Sequence, residues 1–208
     1  MIRLGVLFPD HLNLNGDYGN IEVIARQFEW RGMACEVFRV ENEQHLSEGL
    51  DFLLVGHGSS AAWDSIRDRL NSLEGGLRRL LESGTPGLCV STGFEELVRL
   101  AVVAGLECKS IPERVSKFVV HTDGNQEVLG YLNSDVDLPP LHREGQFVCT
   151  MLHGPVLAKN PLLLIELLQS ISMHAGLELK DIQTSEKTDL LAGLVDEVWK
   201  LERELASE

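Results

Sequence analysis

The chain has 208 residues, of which 44% are hydrophobic and 24% charged, with a mean hydropathy near zero, as in ordinary folded domains. A chain of this length can bury a core without disulfides or metals. It lacks the roughly 18 consecutive apolar residues of a spanning helix, and its N-terminus leads directly into a strand-like run, so we expect neither a membrane span nor a signal peptide. The net charge of −14, without a basic patch, disfavours nucleic-acid binding.

The cysteine pattern bears on the cellular compartment. None of the four cysteines forms a CxxC pair, and most lie in or beside apolar runs (Cys35, Cys89, Cys108 and Cys149). This is typical of reduced, mostly buried thiols rather than of a disulfide framework or a zinc site. We therefore expect a cytoplasmic protein that needs no metal ion or cofactor.

Strand and helix patterns alternate in the first half of the chain. The predicted strands are 4–8, 36–40, 52–55 and 87–90. The predicted helices run from Ile21 to Arg31, through Ile66, Leu70, Leu73 and Leu80 to a break near Gly84, and through Leu97, Leu100 and Val103. This alternation predicts an α/β fold with a mainly parallel sheet and helices on both faces.

Beyond Gly105 the pattern changes to strands separated by turns. We predict strands at 115–121, 127–132 and 146–152, a loop at 135–144, and helices at 161–171 and 187–205. Apolar residues recur in the last helix at steps of three and four (Leu191, Leu194, Val198, Leu201 and Leu205). We interpret them as core packing, with a partner-docking face as the alternative. The predicted domain spans 1–185, with 186–208 as a C-terminal helix packed on it.

Two segments could place chemical groups at the carboxyl edge of the sheet, where open parallel sheets bind ligands. Ser91-Thr92-Gly93 connects a strand to a helix, in the manner of a nucleophile elbow whose next backbone N–H can face an oxyanion. A structural helix cap is the alternative for Ser91. His153 follows a predicted strand, where it could reach the elbow as a general base or be an ordinary surface histidine.

Several blocks of residues together resemble a known family. They are Leu7-Phe8-Pro9-Asp10 with Asn13, residues 16–20, residues 29–32, and Leu152-His153-Gly154-Pro155 with Lys159-Asn160-Pro161. They are similar to the cobyric acid synthase-type class I glutamine amidotransferases, and most similar to the glutaminase subunits of lipid II isoglutaminyl synthases. The resemblance covers residues 1 to about 175. It implies a flavodoxin-like fold, a Cys–His couple that releases ammonia from glutamine, and a separate ATP-dependent, Mur-ligase-like synthetase that amidates a peptidoglycan precursor.

The resemblance also assigns roles to individual positions. Ser91 stands where the family has its nucleophilic cysteine, and His153 stands at the histidine position. The oxyanion and substrate-binding positions are Gly56, His57, Gly58, Thr92 and Glu95, and Asp17 and Asn20 belong to a loop near the site. The family reads Cys-Gly-Gly-Tyr-Gln at the elbow and Gly-Gly-Gly in the oxyanion loop, so both segments depart from the pattern here.

These departures affect the expected chemistry. A serine hydroxyl is far less acidic than a thiol and needs a firmly oriented base. The family's orienting Glu, two residues after the histidine, is Pro155 here, which leaves Asp17 and Glu113 as candidates. We expect His57 either to hydrogen-bond Ser91 or Glu95 or to be an exposed loop residue.

Three functional hypotheses follow. The first is an amidotransferase-family subunit that works with a synthetase and has weak or lost glutaminase activity on glutamine or a related amide. The second is a serine amidase that uses Ser91 and His153. The third is a non-catalytic ligand-sensing or scaffold module. Cys89, two residues before Ser91, is expected to be a buried and inert thiol.

Overall fold

The structure, a computed structural model, describes residues 1–207 except for the side chain of Glu186. The strands are β1 (Ile2–Leu7), β2 (Cys35–Val40), β3 (Phe52–Val55), β4 (Gly87–Val90), β5 (Ser110–Asp123), β6 (Gln126–Val136), β7 (Leu141–Glu144), β8 (Phe147–Thr150) and β9 (Leu152–His153). The helices are α1 (Tyr18–Trp30), α2 (Glu43–Ser47), α3 (Ser60–Ser72), α4 (Glu74–Glu82), α5 (Thr92–Arg99), α6 (Val156–Lys159), α7 (Pro161–His174) and α8 (Glu186–Leu205). Within the described residues, no helix combines the length and apolar character needed to cross a bilayer.

The main sheet has six strands in the order β2-β1-β3-β4-β8-β7. The first five strands are parallel, and β7 pairs antiparallel with β8 at one edge. A second, antiparallel sheet has the order β5-β6-β9. The parallel order, with β1 between β2 and β3, is that of flavodoxin-like folds. The prediction of a mainly parallel sheet is therefore confirmed.

Two hydrophobic cores lie on opposite faces of the main sheet because successive strand residues point to opposite sides. In β3, Leu53 and Val55 pack in the core that contains residues of α3, α4 and α5. Phe52 and Leu54 pack in the core that contains residues of α1 and α7. All four side chains are buried, which explains why the strand is apolar throughout. The helices therefore cover both faces, as the sequence predicts.

A close backbone contact joins α5 to the end of β3. A Cβ atom on Gly93 would lie 2.7 Å from the carbonyl oxygen of Gly56 and 2.8 Å from that of Val55. Neither oxygen can move without disturbing the sheet, so only glycine allows α5 to begin this close. The contact places the turn after β4 directly beside the loop after β3.

The single helix predicted through residues 66–80 is wrong in detail, since the segment forms α3 and α4, which meet at Leu73. Leu73 is fully buried at this turn. In α4, a Cβ on Gly76 would lie 2.6 Å from the side chains of Glu43 and Leu46, so the glycine admits close packing against α2. Helix α5 also ends earlier than predicted, at Arg99.

Two predictions in the second half of the chain need correction. Residues 141–144 were predicted as loop but form β7, because β8 supplies hydrogen-bonding partners for the segment after the two prolines. The predicted strand 146–152 divides into β8 in the main sheet and β9 in the second sheet. This division turns the chain at Met151 so that β9 pairs with β6.

Helix α8 contacts the rest of the chain along one side. Lys159 donates to both carboxylate oxygens of Glu202, at 2.9 and 2.7 Å, and Arg203 pairs with Glu127. The apolar residues on an adjacent side remain exposed, with 41 to 66% of each accessible. We call these residues the leucine face of α8 (Leu190, Leu191, Leu194, Val198, Leu201 and Leu205). The interpretation of this stripe as core packing is therefore wrong.

Candidate active site

Ser91 occupies a strained turn between β4 and α5. Its backbone has φ +51° and ψ −118°, a conformation that non-glycine residues adopt at a cost of about 1–3 kcal/mol. Strain of this kind is characteristic of nucleophile elbows. The residue is almost fully buried, and its hydroxyl lies against His153 instead of capping α5. The helix-cap interpretation of Ser91 therefore does not hold.

His153 ends β9, and its position depends on two other segments. The pairing of His153 with Tyr131 of β6 fixes its backbone. The buried side chain of Asn20 donates to the carbonyl oxygen of Gly154 at 3.2 Å and accepts from the N–H of Leu157 at 3.0 Å. Asn20 therefore holds the chain that follows the histidine. The result is a distance of 3.1 Å between Ser91 Oγ and His153 Nε2.

The neighbours of the His153 ring determine which nitrogen carries the hydrogen. Nε2 lies 3.0 Å from the carbonyl oxygen of Asn133, which can only accept a hydrogen bond. Nδ1 faces the side-chain nitrogen of Asn15, which can only donate. Both contacts are satisfied by the neutral tautomer with hydrogen on Nε2. In this state His153 presents a donor, not a lone pair, to Ser91.

The electrostatic surroundings keep the His153 ring neutral. Burial is the main cause that lowers its pKa, and the Arg114 guanidinium also opposes protonation. The hydrogen bond to Asn133 and the charge of Asp17 act in the opposite direction but are outweighed. The neutral Nε2–H tautomer is therefore the form expected at neutral pH.

The orienting group of His153 is an amide rather than a carboxylate. Asp17 is fully buried, but its Oδ2 atom accepts the backbone N–H of His57 at 3.1 Å. Glu113 is exposed on β5. The sequence left Asp17 and Glu113 as candidates for this position, whereas the structure places the amide of Asn15 against Nδ1 of His153.

Asp17 has an unusual environment of its own. Its Oδ1 atom is buried without a hydrogen-bond partner among the described residues. Burial raises the pKa of this carboxyl, and the hydrogen bond from the His57 N–H opposes the change. Asp17 thus places a carboxylate beneath the loop that follows β3.

His57 lies between the elbow and His153. Its Nδ1 atom is 3.0 Å from Thr92 Oγ1 and 3.5 Å from the backbone nitrogen of Thr92. Its ring meets the His153 ring edge-on, with centroids 4.9 Å apart. Burial lowers the pKa of His57 to about 4, and the neighbouring His153 contributes. The expected hydrogen bond to Ser91 or Glu95 is replaced by the one to Thr92, and the side chain is half-buried rather than exposed.

Two backbone donors beside the elbow are bound to groups of the chain itself. Thr92 N–H points to His57 Nδ1, and Gly58 N–H donates to Thr92 Oγ1 at 3.0 Å. The indole of Trp63 donates to the same oxygen at 2.8 Å. Gly56 must be glycine here, because a Cβ would lie 2.1 Å from the carbonyl oxygen of Leu12. An oxyanion bound by the N–H of Thr92 or Gly58 would therefore have to displace an existing hydrogen bond.

Two charged side chains complete the surroundings of the site. Glu95, in the first turn of α5, is nearly buried and pairs with Arg99 at 3.3 Å. Burial raises the pKa of Glu95, and Arg99 counteracts this. Arg114 donates from Nε to Asn133 Oδ1 at 2.7 Å, which ties it to the strand that contacts His153. Nothing near Arg114 in the chain marks it as part of a site, so the sequence by itself gives no sign of this role.

Cys89 lies in the interior of β4, two residues before Ser91. It is fully buried and opposite Cys149 in the register of β4 and β8. Burial raises the pKa of its thiol, with a further contribution from Cys149, so little thiolate forms. Within residues 1–207, His, Cys, Asp and Glu side chains form no group of three or more suited to a metal ion.

Comparisons with known proteins identify one relative by sequence and several by structure. No family model matches the chain. The chain is 22% identical over 223 residues to the GatD subunit of lipid II isoglutaminyl synthase (glutamine-hydrolyzing) from Staphylococcus aureus, a match that covers 90% of this chain and 92% of that protein.

Solved structures show the same fold. The glutaminase domain of CTPS from Trypanosoma brucei matches with a TM-score of 0.57 and 9% identity, over 90% of this chain and 99% of that chain. A glutamine amidotransferase from Thermotoga maritima matches with a TM-score of 0.51 and 15% identity, over 98% of this chain and 94% of that chain. The fold is that of the class I glutamine amidotransferases, and the chain has a weak, nearly full-length sequence relationship to GatD.

Proposed function

We propose that this protein is a glutaminase-like subunit of the cobyric acid synthase type, in which Ser91 replaces the nucleophilic cysteine and glutamine hydrolysis is weak or lost. Its partner is an ATP-dependent, Mur-ligase-like synthetase in the cytoplasm that amidates a peptidoglycan precursor. The fold and the nearly full-length relationship to GatD support the general assignment. The residue blocks around Asp17 and His153 support the particular branch.

The state of His153 is the observation that carries the proposal of weak activity. A general base must offer a lone pair to the hydroxyl it activates. Nε2 is the nitrogen nearest Ser91 Oγ, and it also lies 3.0 Å from a carbonyl oxygen that requires a donor. Activation of Ser91 would therefore require a change of tautomer and the loss of the contacts to Asn133 and Asn15.

The backbone donors give independent support. Stabilisation of an oxyanion by one preorganised donor contributes about 10²–10³ in rate. Thr92 N–H follows Ser91 in the chain and Gly58 N–H lies on the adjoining loop, and both already bind groups of the chain. The buried carboxyl of Asp17 beneath His57 would also disfavour negative charge nearby. Each tenfold loss of rate corresponds to about 1.4 kcal/mol of barrier.

Ammonia release from glutamine tests this proposal. The purified chain should release ammonia far more slowly than a typical enzyme, whose turnover is about 1–10³ s⁻¹. The measurement is repeated with a Mur-ligase-like synthetase from the same genome, ATP and lipid II, and complex formation is followed by light scattering. Fast turnover by the chain alone would contradict weak activity, and failure to bind any such synthetase would contradict the partnership.

A serine amidase is the second candidate, favoured by the strained backbone of Ser91 and the 3.1 Å distance to His153. A fluorophosphonate probe forms a covalent adduct with an activated serine, and mass spectrometry locates it. Adduct at Ser91 that is absent from Ser91→Ala would support this candidate. The Nε2–H tautomer leads us to expect no adduct in the folded protein.

A ligand-sensing module is the third candidate, favoured by the hydrogen bonds that close the elbow onto His57 and Thr92. A ligand that binds the native state raises the melting temperature. Thermal-shift measurements with glutamine, glutamate and peptidoglycan fragments would detect such binding without turnover. Binding without ammonia release fits both a sensor and an inactive subunit, and the synthetase-binding measurement separates the two.

A further inference from the structure

The leucine face of α8 is an apolar surface of a kind that small domains normally bury. Its most exposed members are Leu190 at 66% and Leu201 at 61%, and even Leu191 is 41% exposed. A row of exposed large apolar side chains along one helix is the kind of surface that marks interaction sites. By contrast, α1 and α7 bury most of their large apolar side chains in the core.

The leucine face is centred on a different side of α8 from the one that holds the helix on the domain, although the two sides adjoin at Leu191. Glu202 pairs with Lys159 on that side, and Val195 and Trp199 are partly buried there. At about 100° per residue, the leucine face is centred roughly 90° around the helix from these residues. A partner could therefore cover it without disturbing the attachment of α8.

The spacing of the face indicates a helical partner. From Leu191 the members follow at steps of three, four, three and four residues, which is a seven-residue repeat. In heptad notation, Leu191, Val198 and Leu205 occupy a positions, and Leu194 and Leu201 occupy d positions. Such a seam packs by inserting side chains into the holes of a facing helix.

A cavity beside the helix extends the apolar surface. It has a volume of about 1110 Å³, lies between α1 and α8, and includes Trp30, Met33, Leu164 and Val195 in its lining. Leu191 lines the cavity and also belongs to the leucine face. The two surfaces are therefore continuous, and a large side chain from a partner could enter the cavity.

The charges beside the leucine face indicate the chemistry of the partner. Glu197 and Glu204 occupy g positions at its outer edge and are exposed. Helix α8 contains six acidic and three basic residues, and the whole chain has a net charge of −14. A second copy would oppose these glutamates with the same acidic residues, which is unfavourable in coiled coils. Opposite charge at the partner's edges would favour association.

We infer that the leucine face of α8 is the docking surface for an amphipathic helix of another protein, with an apolar heptad stripe bordered by Lys or Arg. The three-and-four spacing accounts for the helix, and Glu197 and Glu204 account for its charge. This inference does not depend on the chemistry at Ser91, so it can be tested separately from the proposed function.

Synthetic peptides provide the test. A three-heptad peptide with Leu at a and d and Lys at e and g should bind the full chain saturably in fluorescence anisotropy. Two control peptides have Glu at e and g, or the same composition as the basic peptide in scrambled order. The affinity of each should be lower by about tenfold or more. Equal binding of the scrambled peptide would show charge attraction alone and overturn the inference.

Variants locate the binding site. Leu194→Glu/Leu201→Glu should lose about tenfold or more in affinity for the basic heptad peptide. The loss is expected even though the added negative charge by itself would attract a basic peptide. The matched control is Leu162→Glu/Met173→Glu, which changes two exposed residues on α7 and should retain binding. Equal affinity of the two variants would overturn the inference. A wild-type dimer that dissociates in the α8 variant would identify a second copy as the occupant and would also overturn it.

Discussion

The Nδ1 atom of His57 lies 3.0 Å from the hydroxyl and 3.5 Å from the backbone nitrogen of Thr92. This histidine therefore occupies the space into which the N–H after the elbow residue points. The elbow keeps its strained geometry at Ser91, yet the donor that such strain would expose is bound internally. The loop after β3 and the turn after β4 thus satisfy one another's polar groups.

The tautomer of His153 can be measured directly. Nitrogen-15 NMR of the imidazole should show the neutral ring with hydrogen on Nε2, because Asn133 requires a donor and Asn15 supplies one. Asn15→Asp should raise the pKa of His153, because a carboxylate stabilises the imidazolium. Asn125→Asp on the exposed β5–β6 turn is the control. A wild-type ring with hydrogen on Nδ1 would contradict the assignment.

A thiol at position 91 should not by itself produce substantial glutaminase activity. In Ser91→Cys, the donors of Thr92 and Gly58 remain bound to His57 and to the threonine hydroxyl, so ammonia release should stay within about tenfold of wild type.

Removal of the side chains of His57 and Thr92 should raise the rate of ammonia release by the cysteine variant. Ser91→Cys/His57→Gly/Thr92→Gly frees both donors, and a thiolate needs no strong base, so release should rise about 10²-fold or more above Ser91→Cys. The control is the same double glycine change combined with Ser91→Ala, which should remain inactive. Equal rates for the single and triple cysteine variants would argue against the blocked donors.

Protonation of His57 should weaken the fold in acid. The pKa of His57 is about 4 in the folded chain and about 6.5 when unfolded, so the unfolded state binds the proton more readily. The contribution of neutral His57 to the free energy of unfolding is therefore lost as the pH falls from about 6.5 to 4. The loss should be roughly 1–3 kcal/mol. Urea unfolding across this pH range should show that the free energy of unfolding declines less steeply in His57→Gln than in the wild type. The matched control His121→Gln should show the same decline in the free energy of unfolding as the wild type. A decline as steep as the wild type's in His57→Gln would contradict the prediction.

The contact between α5 and β3 should tolerate no side chain at Gly93. Gly93→Ala places a Cβ against the carbonyl oxygens of Gly56 and Val55, and we expect a loss of about 3 kcal/mol in the free energy of unfolding. Gly193→Ala in α8 meets open space and removes a helix-interior glycine, so it should stabilise by up to about 1 kcal/mol. Chemical denaturation measures both, and equal effects would refute the packing argument.

The sequence predicted the fold well where the signal was local. The apolar runs of β1, β3 and β4 and the turn residues after them indicate buried parallel strands with functional groups at their carboxyl ends. The small residues at 91–93 likewise indicate a sharp turn between strand and helix. Edge strand β7 was missed, because its pairing depends on β8 and not on its own composition.

Tertiary structure alone decided the state of the candidate site and of the C-terminal helix. Asn15 and Asn133 are distant from His153 in sequence, and only the folded chain brings an amide to one ring nitrogen and a carbonyl to the other. Periodicity likewise showed that one side of α8 is apolar, but not whether anything covers it. Local patterns depend on the few residues within a turn or strand, whereas tautomers and burial depend on which distant atoms fill the surrounding space.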